Sequence, residues 1–314
     1  MRILLMSTGR RVSLIQSLRK TACEMKLNLY IAGTEIYPWT PSLQFCDSYH
    51  MVAPTFSDEH LKQLEEIIKN ENLNAVLPGN DYDLAFLQAV RNRPVWQSVK
   101  ILDAGSNQGL FLSKSQSADF FKSVELKVPD IYQKPSDVNK AMILKEDRGA
   151  GSINQYIVKD SIDASRYWNR LKQPFLQEFI EGVEYTIDVF SSEDYETINV
   201  CPRIRQKVRA GVSDVGEVHL NRELIDLLLP KLPLFKLRGP WNVQCILRDS
   251  TFYFLEVNPR FSGGVPLSIA AGCDLVQNLV EWYLGISLTK FDSLQDGLIM
   301  MKYEQELFVS SRTV

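Results

Sequence analysis

The first hundred residues alternate two kinds of segment, and this alternation limits the possible folds more than any other feature. Short apolar runs at residues 3–6, 29–33, 75–77 and 100–102 each end in turn-forming residues, such as Ser7-Thr8-Gly9 and Pro78-Gly79. Between them lie segments with apolar residues at helical spacing: 12–24 (Val12, Ile15, Leu18, Ala22), 58–70 (Leu61, Leu64, Ile67, Ile68) and 83–91. A strand too short and apolar to show one polar face is buried on both sides, and helices must cover it. The expectation is a parallel, doubly wound sheet ending near Ser106.

The pattern then changes. Helices are expected at 115–124, 161–171 and 274–284, and strands at 141–145, 175–180, 185–190, 197–201, 243–247 and 252–257. Ser250 sits in a hairpin turn between the last two strands. The fold class is therefore α/β followed by α+β rich in antiparallel strands. No repeat or low-complexity segment interrupts it.

Composition narrows the function classes. A formal charge of −3 with mixed signs offers no basic tail for nucleic acid. The most apolar late stretch, 224–237, is broken by Pro230, Lys231, Pro233 and Lys236, so no membrane span of about 20 residues is expected. The apolar run after Arg2 is too short for a signal peptide, which places the expected location in the cytoplasm. Five scattered cysteines (Cys23, Cys46, Cys201, Cys245, Cys273) lack metal or redox spacing and read as reduced thiols. With only His50, His60 and His219, a hard oxygen-bound cation is a better expectation than a transition metal.

The sharpest motif is Trp241-Asn242-Val243-Gln244 followed by Phe254-Leu255-Glu256-Val257-Asn258-Pro259-Arg260. Strand alternation puts Glu256 and Asn258 on one face, with Gln244 opposite on the preceding strand. Three oxygen-bearing side chains converging without histidine suit Mg²⁺, which keeps water or phosphate oxygens as its other ligands. Leu255 and Val257 should face the core. An isolated Glu-x-Asn is usually a solvated strand face. Here Arg260 and the turn Phe261-Ser262-Gly263-Gly264 follow directly, and Arg260 offers a bidentate fork for a carboxylate or phosphate, or an ion pair with Glu256.

This block, with the upstream segments in matching order, resembles the ATP-grasp enzymes. It looks closest to the branch around the carbamoyl phosphate synthetase large subunit and its stand-alone carboxylate–amine ligase relatives. The resemblance spans from Ser7-Thr8-Gly9-Arg10-Arg11 to about Gly285. It implies a Rossmann-like domain over 1–108, a small ATP-grasp lobe over 109–182 and a C-terminal lobe over 183–314. It also implies ATP and Mg²⁺, or Mn²⁺ in its place, with Gln244, Glu256 and Asn258 at the metal. Lys114 and Lys145 match phosphate-binding lysines, and Gly149, Gly151 and Ser152 match the glycine-rich loop. Glu178, Phe179 and Ile180 match the adenine hinge, and Glu184 matches the ribose acceptor. The chain departs from the pattern at Glu146, where proline is usual, and at Ile153-Asn154-Gln155 after the serine. One ATP-grasp copy and no glutaminase segment argue against carbamoyl phosphate synthesis itself.

The resemblance implies an ATP-dependent ligase that makes an acyl phosphate from a small carboxylate and passes the acyl group to a small amine. Lys145, Arg260 and Arg205 are the expected catalytic cations. Arg203, Arg205, Lys207 and Arg209 would share one face if their segment stays extended, forming an anion clamp or a solvated basic strand. Arg10, Arg11, Asn80, Asp81 and Asp83 follow strands of the first sheet and are candidate substrate contacts. The competing readings are an ATP-binding regulatory or assembly subunit without turnover, and a bicarbonate-phosphorylating enzyme. A nicotinamide enzyme is disfavoured, because Gly9-Arg10-Arg11 is not G-x-G-x-x-G. A homodimer is the base-rate expectation.

Overall fold

A computed structural model describes residues 1–102, 104–149, 154–209 and 211–310. Its first sheet is parallel, in the order β3-β2-β1-β4-β5. The strands are β1 (Arg2–Leu5), β2 (Tyr30–Glu35), β3 (Ser48–Met51), β4 (Ala75–Leu77) and β5 (Lys100–Ile101). The chain order reverses between β1 and β4, so the loops after these two strands open a crevice at the carboxyl edge. The helices Val12–Glu24 and Asp58–Asn70 lie where the spacing predicts them, and the third helix starts earlier, at Asp81. Asn80 caps that third helix, accepting from the amides of Tyr82 (2.8 Å) and Asp83 (3.0 Å). Asp83 returns the contact to Asn80 N at 3.1 Å, which completes a capping box.

Strand β3 escapes the sequence reading, so residues 75–77 form the fourth strand rather than the third. Its sequence, Ser-Tyr-His-Met, is mostly half-buried at the sheet edge and carries no apolar run. Pairing with β2 is what extends it.

The second sheet, β6-β9-β7-β8, is antiparallel. It consists of β6 (Ile131–Tyr132), β7 (Met142–Glu146), β8 (Tyr156–Val158) and β9 (Pro174–Glu178). The third, β14-β13-β10-β11-β12-β15, is also antiparallel. Its strands are β10 (Val183–Ser191), β11 (Thr197–Arg209), β12 (Val212–Val218), β13 (Gly239–Arg248), β14 (Thr251–Asn258) and β15 (Ile299–Met301). Asp249 and Ser250 both take left-handed φ (+48° and +60°), the two-residue turn that matches strand twist between β13 and β14. Gly182 makes the turn from β9 into β10. A Cβ there would stand 2.2 Å from the Leu247 carbonyl oxygen, so only glycine lets the two backbones pass.

The cores explain how the parts are held. Ile3, Leu5 and Leu14 of the first unit share one apolar cluster with Val265, Leu275 and Leu279 of the last. Tyr283 also donates to the Val76 carbonyl at 2.7 Å, and Lys100 to that of Trp282. The helix Lys114–Ser123 packs on the third sheet through Phe121, whose ring lies 5.5 Å from that of Phe254. The second sheet has its own smaller cluster, which includes Met142, Leu144, Val158 and Leu176. No helix among the described residues is long and apolar enough to cross a membrane.

Candidate active site

A cleft of about 1260 Å³ lies where the three sheets meet. Its floor is one face of the third sheet, and the strand register arranges that face as a grid. Arg203 pairs with Thr186, Thr186 with Gln244 and Gln244 with Glu256, which makes one row across four strands. The next row runs Asp188, Asn242, Asn258. At about 4.8 Å per strand the first row spans roughly 14 Å, with a buried guanidinium at one end and a carboxylate at the other.

The convergence of Gln244, Glu256 and Asn258 follows from this register, and all three line the cleft. Asn258 Nδ2 donates to Glu256 Oε1 at 3.3 Å. The Gln244 amide oxygen faces Arg205 Nη1 at 3.4 Å. One carboxylate and neutral amide oxygens form an all-oxygen donor set, which fits Mg²⁺ when phosphate oxygens complete the shell.

Strict alternation fails at one point in β14. Gln244 pairs with Glu256 but Cys245 pairs with Phe254, so Leu255 is an extra residue. The bulge turns Leu255 out of the core and into the cleft beside Glu256, contrary to expectation, while Val257 and Phe254 stay buried. Leu255 joins Ile143, Ile180 and Ile246 in an apolar wall. Glu178 lines the same region, its carboxylate held by Lys140 at 2.7 Å, but Phe179 is half-buried and outside the cleft lining.

Lys145 projects from β7 and is buried, with Nζ donating to Gln177 Oε1 at 2.8 Å. Burial pushes its ammonium down to about 8, with Glu256 supporting the charge and Lys114 opposing it. Lys114 donates to the Gly149 carbonyl oxygen at 2.8 Å, so both lysines lie on the side of the glycine-containing loop. Gly149 lines the cleft, whereas Gly151 and Ser152 lie outside the described residues.

Arg260 is engaged with Asp81 rather than with Glu256. Nε to Oδ1 is 2.7 Å and Nη2 to Oδ2 is 3.1 Å, a two-point fork across 179 residues of chain. The same Nη2 reaches Asn258 Oδ1 at 3.1 Å. Burial works against the Arg260 charge, but Asp81, joined by Glu256 and Asp83, more than offsets it and holds the guanidinium above its ordinary range. Arg11 beneath it donates to the Gly79 carbonyl, and burial and then Arg260 push it down to about 10. Asp83 is fully buried, accepting from Ser7 Oγ at 2.8 Å and Gly79 N at 2.9 Å. It is a loop brace, not a cleft residue.

The basic run does not share one face. β11 shifts register on either side of Lys207, so Arg203, Arg205 and Arg209 line the cleft and Lys207 does not. The charges are also matched. Arg205 pairs with Glu184, and Arg209 pairs with Asp214 (3.2 Å) and with Glu304. Arg203 is 1% exposed and donates to Asp188 Oδ2 (2.8 Å), Ser268 Oγ (3.0 Å) and Ser262 Oγ (2.8 Å). Among the described residues its Nη1 has no hydrogen-bond partner. A Cβ on Gly264 would lie 2.3 Å from that nitrogen, so the glycine is what lets the guanidinium pack directly against the backbone there. A buried guanidinium N–H without an acceptor is costly, and it marks a place for an anionic oxygen.

Sequence reasoning missed Asp188, Ser262, Ser268 and Gln177. One signal was readable for Asp188. Glu184, Thr186 and Asp188 recur at every second position in an otherwise apolar strand, which marks a polar face over a site.

A cleft between two antiparallel sheets, with Lys145 on one, Lys114 at a helix start beside its loop and an oxygen-donor grid on the other, defines a nucleotide-cleft α+β protein behind a Rossmann-like domain. The family comparisons agree with that architecture. Residues 170–306 match the family described as ATP-grasp in the biosynthetic pathway with Ter operon, and residues 3–102 match the PylC-like N-terminal domain. The chain thus carries an ATP-grasp match over its C-terminal part and a PylC-like match over its N-terminal part. It is 22% identical over 214 residues to a D-alanine–D-alanine ligase of Fusobacterium nucleatum, covering 61% of this chain and 75% of that protein. Among solved structures it resembles the biotin carboxylase domain of Hydrogenobacter thermophilus 2-oxoglutarate carboxylase, solved with MgADP and bicarbonate. The TM-score is 0.75 at 15% identity, covering 95% of this chain and 73% of that one. It also resembles the N5-carboxyaminoimidazole synthetase of Staphylococcus aureus in complex with ADP, with a TM-score of 0.70 at 12% identity, covering 92% and 78%.

Proposed function

We propose that this protein is an ATP-dependent carboxylate–amine ligase. A small carboxylic acid takes the γ-phosphoryl group of ATP to become an acyl phosphate. An amine then displaces phosphate, giving an amide with ADP and phosphate as co-products. The observation that carries the reading is the floor grid, with the Glu256–Gln244–Asn258 oxygen set at one end and the unsatisfied Nη1 of buried Arg203 at the other. An oxygen set without a facing anion site would bind a nucleotide; the two together also hold the acid that attacks it.

In this reading the adenine lies against Leu255, Ile143, Ile180 and Ile246, with the backbone at Glu178 and Ile180 at its polar edge. Glu184 receives the ribose hydroxyls, which requires Arg205 to share it. Lys114 and Lys145 hold the phosphates as point charges. Glu256, Asn258 and Gln244 would hold Mg²⁺, which neutralises charge on the transferring phosphoryl group when bound. Arg203, which lines the cleft at the far end of the row, supplies the positive charge that draws in the acid's carboxylate. Arg205 and Arg260 add positive charge where the transition state develops negative charge. The parallel sheet of 1–108 presents the amine, the lobe of 109–182 covers the phosphates, and 183–314 carries the metal and acid sites.

The test is ADP and phosphate release from MgATP with a panel of small acids, amines and bicarbonate. Glu256→Gln should abolish release while thermal unfolding stays close to wild type. Release that needs both an acid and an amine supports the ligase. Release with bicarbonate alone, or an unimpaired Glu256→Gln variant, refutes it.

A further inference from the structure

The carboxyl edge of the parallel sheet carries an unusual surface. Ile36 is 64% exposed and Tyr82 56% exposed, and both line the cleft together with Pro54 and Thr55. The same edge exposes Tyr37 and Trp39 on the connection after β2, and Phe56 on that after β3. Phe56 is tied to the third helix through Phe86, ring centroids 6.3 Å apart, one turn from Tyr82. Single exposed apolar side chains are ordinary. Several on successive connections, continuous with a polar cleft, mark a binding surface.

Two further observations orient a ligand there. Arg10, on the loop after β1, is exposed, lines the cleft and makes no ion pair among the described residues. Its neighbour Arg11 is buried against Gly79, so only Arg10 is available to an incoming anion. Asp81, beside Tyr82, grips Arg260, which touches Asn258. The apolar rim therefore adjoins the reacting centre. The lysines occupy the nucleotide side of the cleft and Arg203 the acid side, so the amine has the parallel-sheet edge as its approach.

We infer that the amine substrate is an α-amino acid with a large apolar or aromatic side chain. That side chain would pack on Ile36 and Tyr82, and its carboxylate would meet Arg10. This rests on the ligase reading above. Burying four to seven extra carbons on such a rim is worth about tenfold or more in affinity over glycine.

Calorimetric titration tests it. The protein is loaded with Mg²⁺ and a non-hydrolysable ATP analogue, then titrated with glycine, L-alanine, L-leucine and L-phenylalanine. Affinity should rise along the series, with L-phenylalanine at least about tenfold tighter than glycine. Combining Ile36→Ser with Tyr82→Ser should return L-phenylalanine to the glycine level while the analogue binds unchanged. Both side chains are exposed, so folding should not be disturbed. A flat series, or a preference that survives the double substitution, overturns the inference while analogue binding keeps the nucleotide site intact. Failure of the analogue itself to bind overturns the ligase reading and this inference with it.

Discussion

Lys145 is charged at neutral pH only narrowly, because burial has taken it from 10.5 to about 8. Phosphate oxygens beside Nζ favour the ammonium, so nucleotide binding should draw a proton onto the enzyme near pH 8. The attraction is fully present below about 8 and is lost as the lysine deprotonates. MgATP affinity should therefore fall as pH rises from 7.5 to 9.5, and Lys145→Met should bind weakly with no such slope. Titration in buffers of different ionisation enthalpy would measure the proton uptake; a flat profile refutes the assignment. For folding the sign is reversed. Between about 8 and 10.5 the unfolded chain binds more protons, so this lysine's contribution makes the fold more stable as pH rises through that window.

Among the elements, the long segments were legible and the irregular ones were not. The helices 12–24 and 58–70 match to the residue, because spacing and turn residues mark both ends. The hairpin strands 243–247 and 252–257 were legible from their residue pattern, and Gln244 opposes Glu256 across them as expected. Two bulges were not legible. The one at Leu255 turns an apolar side chain into the cleft, and the one around Lys207 removes a cation from it. A bulge leaves no trace in composition, since it is set by how two distant strands fit. The roles of Asp83 and Arg260 also depended on partners far away in sequence. Asp83 is a clean case for a stability test, because its carboxylate satisfies the amides of Gly79 and Asn80 and the Ser7 hydroxyl in a buried site. Asp83→Ala should cost about 1–3 kcal/mol in chemical denaturation. A loss below about 0.5 kcal/mol, the scatter of ordinary surface changes, would show that water replaces it.

At the scale of the whole molecule, the first and third sheets share an apolar cluster, whereas the second has a small cluster of its own and reaches the third sheet's core through Ile131 of β6. On the proposed function, the sheet bearing Lys145, with its smaller core, would open and close over the phosphates. Hydrogen exchange should show the amides of β7 and β8 exchanging faster than those of β10 and β13 in the free protein, then slowing with MgADP. Equal protection of both sheets without nucleotide would refute a moving lobe. The Asp81–Arg260–Asn258 chain carries a different consequence. One arginine holds both a carboxylate of the parallel-sheet unit and an oxygen that the metal would need. Occupancy on either side therefore alters the free energy of the other. Thermodynamic reciprocity then requires that any factor by which nucleotide changes affinity for the amine be returned unchanged in the opposite direction, so a single guanidinium would couple the two substrates equally whichever loads first.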